Sequence, residues 1–349
     1  MKIAILSSLA MDTGCWLRAQ YLGKSLEKAG NEIVYIKPMK KTMHFMLDLF
    51  LSFFKNFKLL FVKADIAIGI KPYPNATIPL LIKKLFGSKV VIDIDDLDYG
   101  YRKGLISLIS KFIQKPFPKF FDVVTYHNNN LRKFIVNDLY VSNEKLYKLD
   151  QGVDFDLFDF EKYRPKKYSK KKILVYAGHL NIASNLDDIL EAFKIVLKKR
   201  DDIKLIVTGG GPMENYFKKI AKKLKLNDKV SFTGFIPQTQ KIVEYISRAD
   251  ICLVYYKDNL PNRYRCSMKL REYLAMKKIV VCNKVGDLKE FKRFTYQSNN
   301  SVEDFAKKIL EVLNNKTDER AEIGRNFVLK KYSWDIIGRK FSKKLQGNL

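Results

Sequence analysis

Acids are scarce in this 349-residue chain and cysteines scarcer: 37 Asp+Glu stand against 65 Lys+Arg, with four cysteines and three histidines. Cys15, Cys252, Cys266 and Cys282 have neither CxxC spacing nor a companion histidine cluster. That argues against a zinc site or a disulfide framework and fits a reducing cytoplasm. Also missing is any uninterrupted run of the roughly 20 apolar residues that a spanning helix needs. The most apolar stretch, MHFMLDLFLSFFKNFKLLFV from Met43, is broken by Asp48, Lys55 and Lys58. At the start, MKIAILSSLAMDTGC puts a single lysine before a short apolar run. Asp12 and the lone basic residue argue against a signal peptide or a lipid-bearing Cys15.

What is abundant is positive charge. The net +28 is spread along the chain rather than confined to a tail, so an anionic partner is expected: a membrane face, a phosphate-bearing substrate or a nucleic acid. A lysine-rich proteome would produce the same excess. No nucleic-acid recognition motif accompanies the dispersed lysines, so nucleic acid is not expected as the partner. With 47% hydrophobic residues the chain can bury more core than one domain normally holds.

One pattern occurs twice: a β-rich run, a small-residue loop, an amphipathic helix, then another β-rich run. KIAILSS, the loop at Gly14, a helix through Arg18, Leu22 and Leu26, and NEIVYI form the first such unit. KKILVYAGHL, a helix through Leu186, Ile189 and Phe193, and IKLIVTGGG form the second. VVIDIDD and DVVTYH continue the first half; KVSFTGF, DICLVYY and KIVVCN continue the other. The alternation predicts an α/β chain with parallel sheets covered on both faces. EKYRPKKYSKKK, Glu161 to Lys172, reads as a linker, giving domains at 1–160 and 161–332. Two doubly wound, Rossmann-like domains are expected to face one another across a cleft, with ligands at the carboxyl ends of the strands.

Three loops there could carry chemistry. VTGGGPMENYFKKIAKKL is a strand, glycine loop and helix lacking both the GK[ST] of a triphosphate loop and GxGxxG spacing; a tight turn explains it equally well. DIDDLD, Asp93 to Asp98, offers four carboxylates that suit either a divalent metal or a turn. RCSMKLREYLAM is more specific. Ser267 is a plausible N-cap, which sets the N–H groups of Met268 and Lys269 beside the side chains of Arg263, Arg265 and Lys269. A diphosphate suits that setting. Glu272 lies beyond the capping-box position, and an exposed pair with Lys269 would contribute only about a few tenths of a kcal/mol. A carboxylate beside a phosphate site could instead accept hydrogen bonds from ribose hydroxyls.

DTGCWLRAQYLGKSLEKAGNEIVYI, QGVDFDLF, GGGPMENYFKKIAKKLKLNDKVSFTGFIP, SMKLREYLAMKKIVV and KYSWDIIGRKF, in this order, resemble the GT-B glycosyltransferases, in particular the retaining family 4. The resemblance covers nearly the whole chain. It implies a nucleotide-diphosphate sugar held mainly by the second domain, Glu272 on the ribose and Ser267 to Lys269 on the diphosphate. Gly234, Phe235 and Ile236 would frame the base, and Gly14 would approach from the first domain, which a helix from Trp334 (333–349) rejoins. Three positions depart from the family pattern. The earlier of its paired glutamates falls at Tyr264, its arginine at His179 after Gly178, and its lysine at Ser184.

The candidate catalytic residues are therefore Lys269, His179 and Arg265. Gly14, Gly178, Ser184, Gly234, Phe235, Ile236, Tyr264, Ser267, Met268, Lys269 and Glu272 are the donor-binding candidates; Arg18, Asp95, Asp98 and His127 are placed on the acceptor side. His127 precedes Asn128, which reads as a helix cap, and structural capping suits this neighbourhood better than a general base, for which no histidine clearly aligns. No metal and no cofactor beyond the donor are expected. The implied reaction is retaining hexosyl transfer to a glycan or polyprenyl-linked acceptor in cell-surface polysaccharide or glycolipid synthesis. The alternatives are a non-catalytic GT-B protein at a membrane or nucleotide, or a GT-B sugar-nucleotide epimerase. Two stretches, that from Met43 and GLISLISKFIQKPFPKFF from Gly104, suit either core packing or an anionic membrane surface. The expected location is the cytoplasm, on the inner face of the membrane.

Overall fold

The computed structural model describes residues 1–11, 13–40, 44–101, 104–165, 171–236, 240–315 and 319–347. The chain forms two compact units. The first comprises Met1–Gly152, Tyr264–Cys266 and the segment from Trp334; the second comprises Val153–Arg263 and Ser267–Ser333. The division falls after Gly152, ahead of the boundary expected after residue 160. Residues 166–170 of the stretch read as a linker lie outside the described residues.

In the first unit, strands β1 (Lys2–Ser7), β2 (Glu32–Ile36), β3 (Ile66–Ile70), β4 (Lys89–Asp93), β5 (Val123–Tyr126) and β6 (Leu146–Lys148) form one sheet. Its order is β2-β1-β3-β4-β5-β6, and every pairing is parallel. Because helices cover such a sheet, its strands are runs of β-branched and apolar residues instead of alternating ones. Ile3, Ala4, Ile5 and Leu6 of β1 are all fully buried. Thr13 caps the first crossover helix, Gly14–Lys28, by accepting from the Trp16 N–H. The helix Trp334–Gln346 packs on that helix within the same unit. Trp334 stacks on Tyr21 at 5.8 Å, Phe341 stacks on Tyr147 at 5.2 Å, and the absent side chain of Gly338 admits the backbone of Ser25.

The second unit repeats the design with β7 (Lys172–Ala177), β8 (Ile203–Thr208), β9 (Val230–Phe232), β10 (Ile251–Val254), β11 (Ile279–Asn283) and β12 (Tyr296–Ser298). The order is β12-β11-β10-β7-β8-β9, again wholly parallel. Chain order reverses between β7 and β10, so the loops leaving those two strands part and open a crevice at their carboxyl ends. Strands β3, β6 and β12 have no counterpart among the runs read from the sequence. The last two are only three residues long and too short to show a pattern.

The Gly104–Gln114 helix is inside out. Ser110 and Gln114 are 2% and 7% exposed, whereas Leu105, Leu108 and Phe112 are 71%, 59% and 79% exposed. Its inner stripe is polar, with Ser107 Oγ donating to the Tyr99 carbonyl at 2.8 Å. Core packing, one of the two readings of this stretch, is therefore ruled out for those apolar residues. In the Phe45–Asn56 helix, Leu47, Phe50 and Phe54 are likewise exposed, while Leu49 is buried. No helix among the described residues is long and apolar enough to cross a membrane.

Candidate active site

The loops at the reversal point of the second sheet come together around the helix Met268–Ala275. Ser267 is its N-cap, as the sequence predicted: its Oγ accepts from Leu270 N–H at 3.3 Å and from the Tyr256 hydroxyl at 3.1 Å. Beneath the cap lies an ion pair that the sequence reading missed. Asp287, which follows β11, accepts the Ser267 N–H at 3.1 and 3.2 Å and Arg271 Nη1 at 2.7 Å. Arg271 Nη1 also donates to the Ser267 carbonyl at 2.9 Å. The one available signal was a guanidinium set between Leu270 and Tyr273 on the helix's buried side. The cap's own N–H is taken, and Met268 and Lys269 form the first turn of the helix, the end at which the backbone dipoles favour an anion.

The Lys269 ammonium sits 3.9 Å from the centre of the Tyr176 ring at the end of β7, a cation–π contact. A side chain at Gly178 would come within 2.7 Å of that ammonium, so Gly178 and Lys269 are close neighbours. Gly178 also has a φ of +155°, which glycine adopts without strain. The Tyr273 hydroxyl, one residue past Glu272, fastens the helix to β7 by accepting the Ala177 N–H at 2.7 Å. Glu272 follows Lys269 by three residues on the same face. Burial pushes its carboxyl up to about 7, against a smaller downward pull from Lys269. Lys269, Glu272 and the first turn of the helix thus meet at the carboxyl end of β7.

Asparagines connect the two loops. Asn185, in the left-handed conformation at φ 50°, accepts from Lys257 N–H at 3.0 Å and from Asn262 Nδ2 at 3.2 Å. Ser184 is buried, and its hydroxyl is committed to the Asn181 carbonyl at 2.5 Å. His179 is exposed, with its ring against Gly211. The glycine run 209–211 has a structural reason: side chains there would strike the Gly178 carbonyl, Phe235 and the Leu180 carbonyl. Gly234, at φ +72°, bridges to Gly209; Phe235 beyond it is 75% exposed and Ile236 partly buried. Arg263, also exposed, donates to Asp258 at 2.6 Å.

The remaining candidates belong to the first unit. Tyr264 and Arg265 fall with it; the Tyr264 ring lies edge-on to Phe134 at 6.1 Å, and its carbonyl accepts from Asn128 Nδ2 at 2.7 Å. Gly14 begins the Gly14–Lys28 helix with open space where a side chain would be. Arg18 cannot serve an acceptor from where it lies. It is 2% exposed, bonded through Nε and Nη2 to Asp93 at 2.5 and 3.0 Å, through Nη2 to the Leu149 carbonyl, and through Nη1 to Gln151. This ion pair ties the helix to the end of β4, and Asp93 takes the Thr125 hydroxyl as well. Asp95 pairs with Lys71 at 3.5 Å. Burial works against its charge, but Lys71, Arg18 and His127 outweigh burial and hold its pKa below the ordinary carboxylate value. Asp98 begins a short 3-10 turn, Asp98–Tyr101. His127 is buried between two partners: Asn128 Nδ2 donates to its Nδ1 at 3.2 Å, so Nε2 carries the proton given to the Asp95 carbonyl at 2.5 Å. Asn128 also caps the Asn129–Asn137 helix, accepting from Leu131 N–H at 2.9 Å, the role the sequence suggested. His127 is thus wired as a structural histidine.

Residues 158–327 match the family described as glycosyl transferases group 1. The chain is 36% identical over 75 residues to an alpha-monoglucosyldiacylglycerol synthase of Streptococcus pneumoniae, a stretch covering 22% of this chain and 17% of that protein. It is 24% identical over 279 residues to TuaH of Bacillus subtilis, whose name places it in teichuronic acid biosynthesis as a glycosyltransferase, covering 76% and 68% of the two chains. The crystal structure of HepE from Anabaena in complex with UDP-glucose superposes with a TM-score of 0.77 at 13% identity over the whole of both chains. Two parallel six-stranded Rossmann-like units make this a GT-B fold, and it is the second unit that carries the match to the glycosyl transferases group 1 family.

Proposed function

We propose that the protein is a retaining glycosyltransferase of family 4 that moves a hexosyl group from a nucleoside-diphosphate sugar to a glycan or lipid-linked acceptor. What carries this reading is the meeting, at the reversal point of the second sheet, of the Met268 and Lys269 N–H groups, the Lys269 ammonium and Glu272. The N–H groups and the ammonium receive the diphosphate, and Glu272 receives the ribose hydroxyls. As the bond from the sugar's anomeric carbon to phosphate breaks, charge grows on the leaving oxygen, and Lys269 opposes it there. That oxygen takes the proton of the acceptor hydroxyl as the new glycosidic bond forms on the same face. The step needs neither an enzymic base nor a divalent cation, which suits His127 being engaged through both ring nitrogens.

The relatives' names, a glucolipid synthase and a teichuronic acid glycosyltransferase, support an envelope acceptor. The inside-out Gly104–Gln114 helix supports peripheral attachment to an anionic cytoplasmic membrane face. Leu105, Leu108 and Phe112 would enter the acyl boundary, with the exposed Lys111 and Lys119 at the lipid phosphates. Turnover of UDP-glucose and GDP-mannose by the intact chain, with and without Lys269→Ala and Glu272→Ala, tests the assignment. Loss of transfer in both variants is expected; undiminished transfer in both would remove it. One observation favours a non-catalytic nucleotide-binding protein instead: the hydroxyl of Ser184, where the resemblance expects a lysine, is spent on Asn181. Donor binding without any turnover in the wild-type chain would establish that alternative.

A further inference from the structure

The second unit contains a charged pair that the proposed chemistry does not use. Arg271 and Asp287 are each 2% exposed, and they meet under the N-cap of the very helix that carries Lys269 and Glu272. Two groups close on Ser267, the Asp287 carboxylate on its N–H and Arg271 Nη1 on its carbonyl, and Arg271 Nη1 bonds to Asp287 as well. The guanidinium is held from two other sides by aromatic rings, with Phe291 at 4.9 Å and Tyr332 at 4.6 Å.

A brace for the helix would not need charges; Ser267 already caps it, and Tyr273 already fastens it to β7. The carboxylate is also placed where it ought to do harm. It is hydrogen-bonded to the N–H immediately preceding those of Met268 and Lys269, so an anion at the first turn would feel it strongly in this buried setting. Arg271 cancels that charge at a distance of 2.7 Å. Meanwhile the carboxylate removes the Ser267 N–H from the set of donors, which narrows the anion's contacts to Met268, Lys269 N–H and the Lys269 ammonium.

We infer that Arg271 and Asp287 are a positioning pair for the donor diphosphate: Asp287 sets which N–H groups face the phosphates, and Arg271 neutralises it so that an anion can approach. The inference rests on the donor-site reading above. It predicts an asymmetry that a plain structural brace would not show. Removing the cation alone leaves an anion facing the diphosphate; removing the anion alone leaves a cation there; removing both charges restores neutrality.

The experiment is a titration of UDP-glucose, with GDP-mannose as a second probe, by calorimetry on the full chain, with the melting temperature of each variant recorded. Arg271→Met should weaken binding by about tenfold or more. Asp287→Asn should change it by less than about threefold, and the double variant should recover most of the loss. Arg271→Lys, which keeps the charge and gives up the ring stacking, should melt lower yet bind within about threefold of wild type. It carries the test if Arg271→Met does not fold. Equal losses from Arg271→Met and Asp287→Asn with no recovery in the double variant, or weakened binding in a folded Arg271→Lys, would overturn the pair's role while leaving the donor site standing. Failure of the wild-type chain to bind either probe would strike the donor reading itself.

Discussion

Donor affinity should rise with pH through the neutral range, and Glu272 is the reason. Its carboxyl ordinarily titrates near 4.5; burial at the carboxyl end of β7 lifts it to about 7, and Lys269 only partly opposes the shift. In the free protein the folded state therefore holds the proton more tightly than the unfolded chain. Its contribution to stability is full below about pH 4.5 and is lost as pH rises towards 7, a difference of up to roughly 3 kcal/mol. Ribose hydroxyls donating to the ionised carboxylate reverse the preference, so binding expels the proton. If binding returns Glu272 to its ordinary value, the ionised fraction of the free protein sets the slope, and affinity should increase about twentyfold between pH 5.5 and 7.5. The assay is calorimetric titration of UDP-glucose across that range in two buffers of different ionisation enthalpy, which also counts the proton released. A nucleotide sugar is required because the terminal phosphate of a free diphosphate titrates near pH 6 and would mimic the effect. Glu272→Gln should bind more weakly at pH 7.5 and with a flat profile. An affinity independent of pH in the wild type, or the same slope in Glu272→Gln, would refute the reasoning.

Gly178→Ala places a methyl against the Lys269 ammonium in a conformation that glycine prefers, so turnover should fall at least about tenfold for a stability cost of about 1–3 kcal/mol, read by steady-state kinetics beside thermal unfolding. Tyr273→Phe leaves the buried Ala177 N–H without its acceptor and should cost about 1–3 kcal/mol in urea denaturation. Leu108→Lys and Phe112→Lys change residues that touch mostly solvent; both should abolish co-sedimentation with vesicles containing anionic lipid while leaving the melting temperature within a few degrees. Turnover in excess EDTA should equal that in magnesium.

Periodicity and strand–helix alternation determined the architecture. Runs such as KIAILS and KILVYA are buried on both faces because helices cover both sides of a parallel sheet, and that requirement is written locally in β-branched residues. The caps at Ser267 and Asn128 were also legible, since a cap is a bond between residues three apart. Other features required the folded chain. Arg18 and Asp93 are 75 residues apart, and only the packing of the first helix on the end of β4 turns a candidate ligand-binding arginine into a buried pair. The hydrophobic pattern of Gly104–Gln114 is the same whether its apolar side faces a core or faces outward; tertiary contacts through Ser107, Ser110 and Gln114 chose outward. In RCSMKLREYLAM the sequence drew attention to Glu272, yet the more deeply buried charge is Arg271. Its partner, Asp287, arrives from the far side of β11, and long-range electrostatics of that kind leave no periodic trace in a sequence.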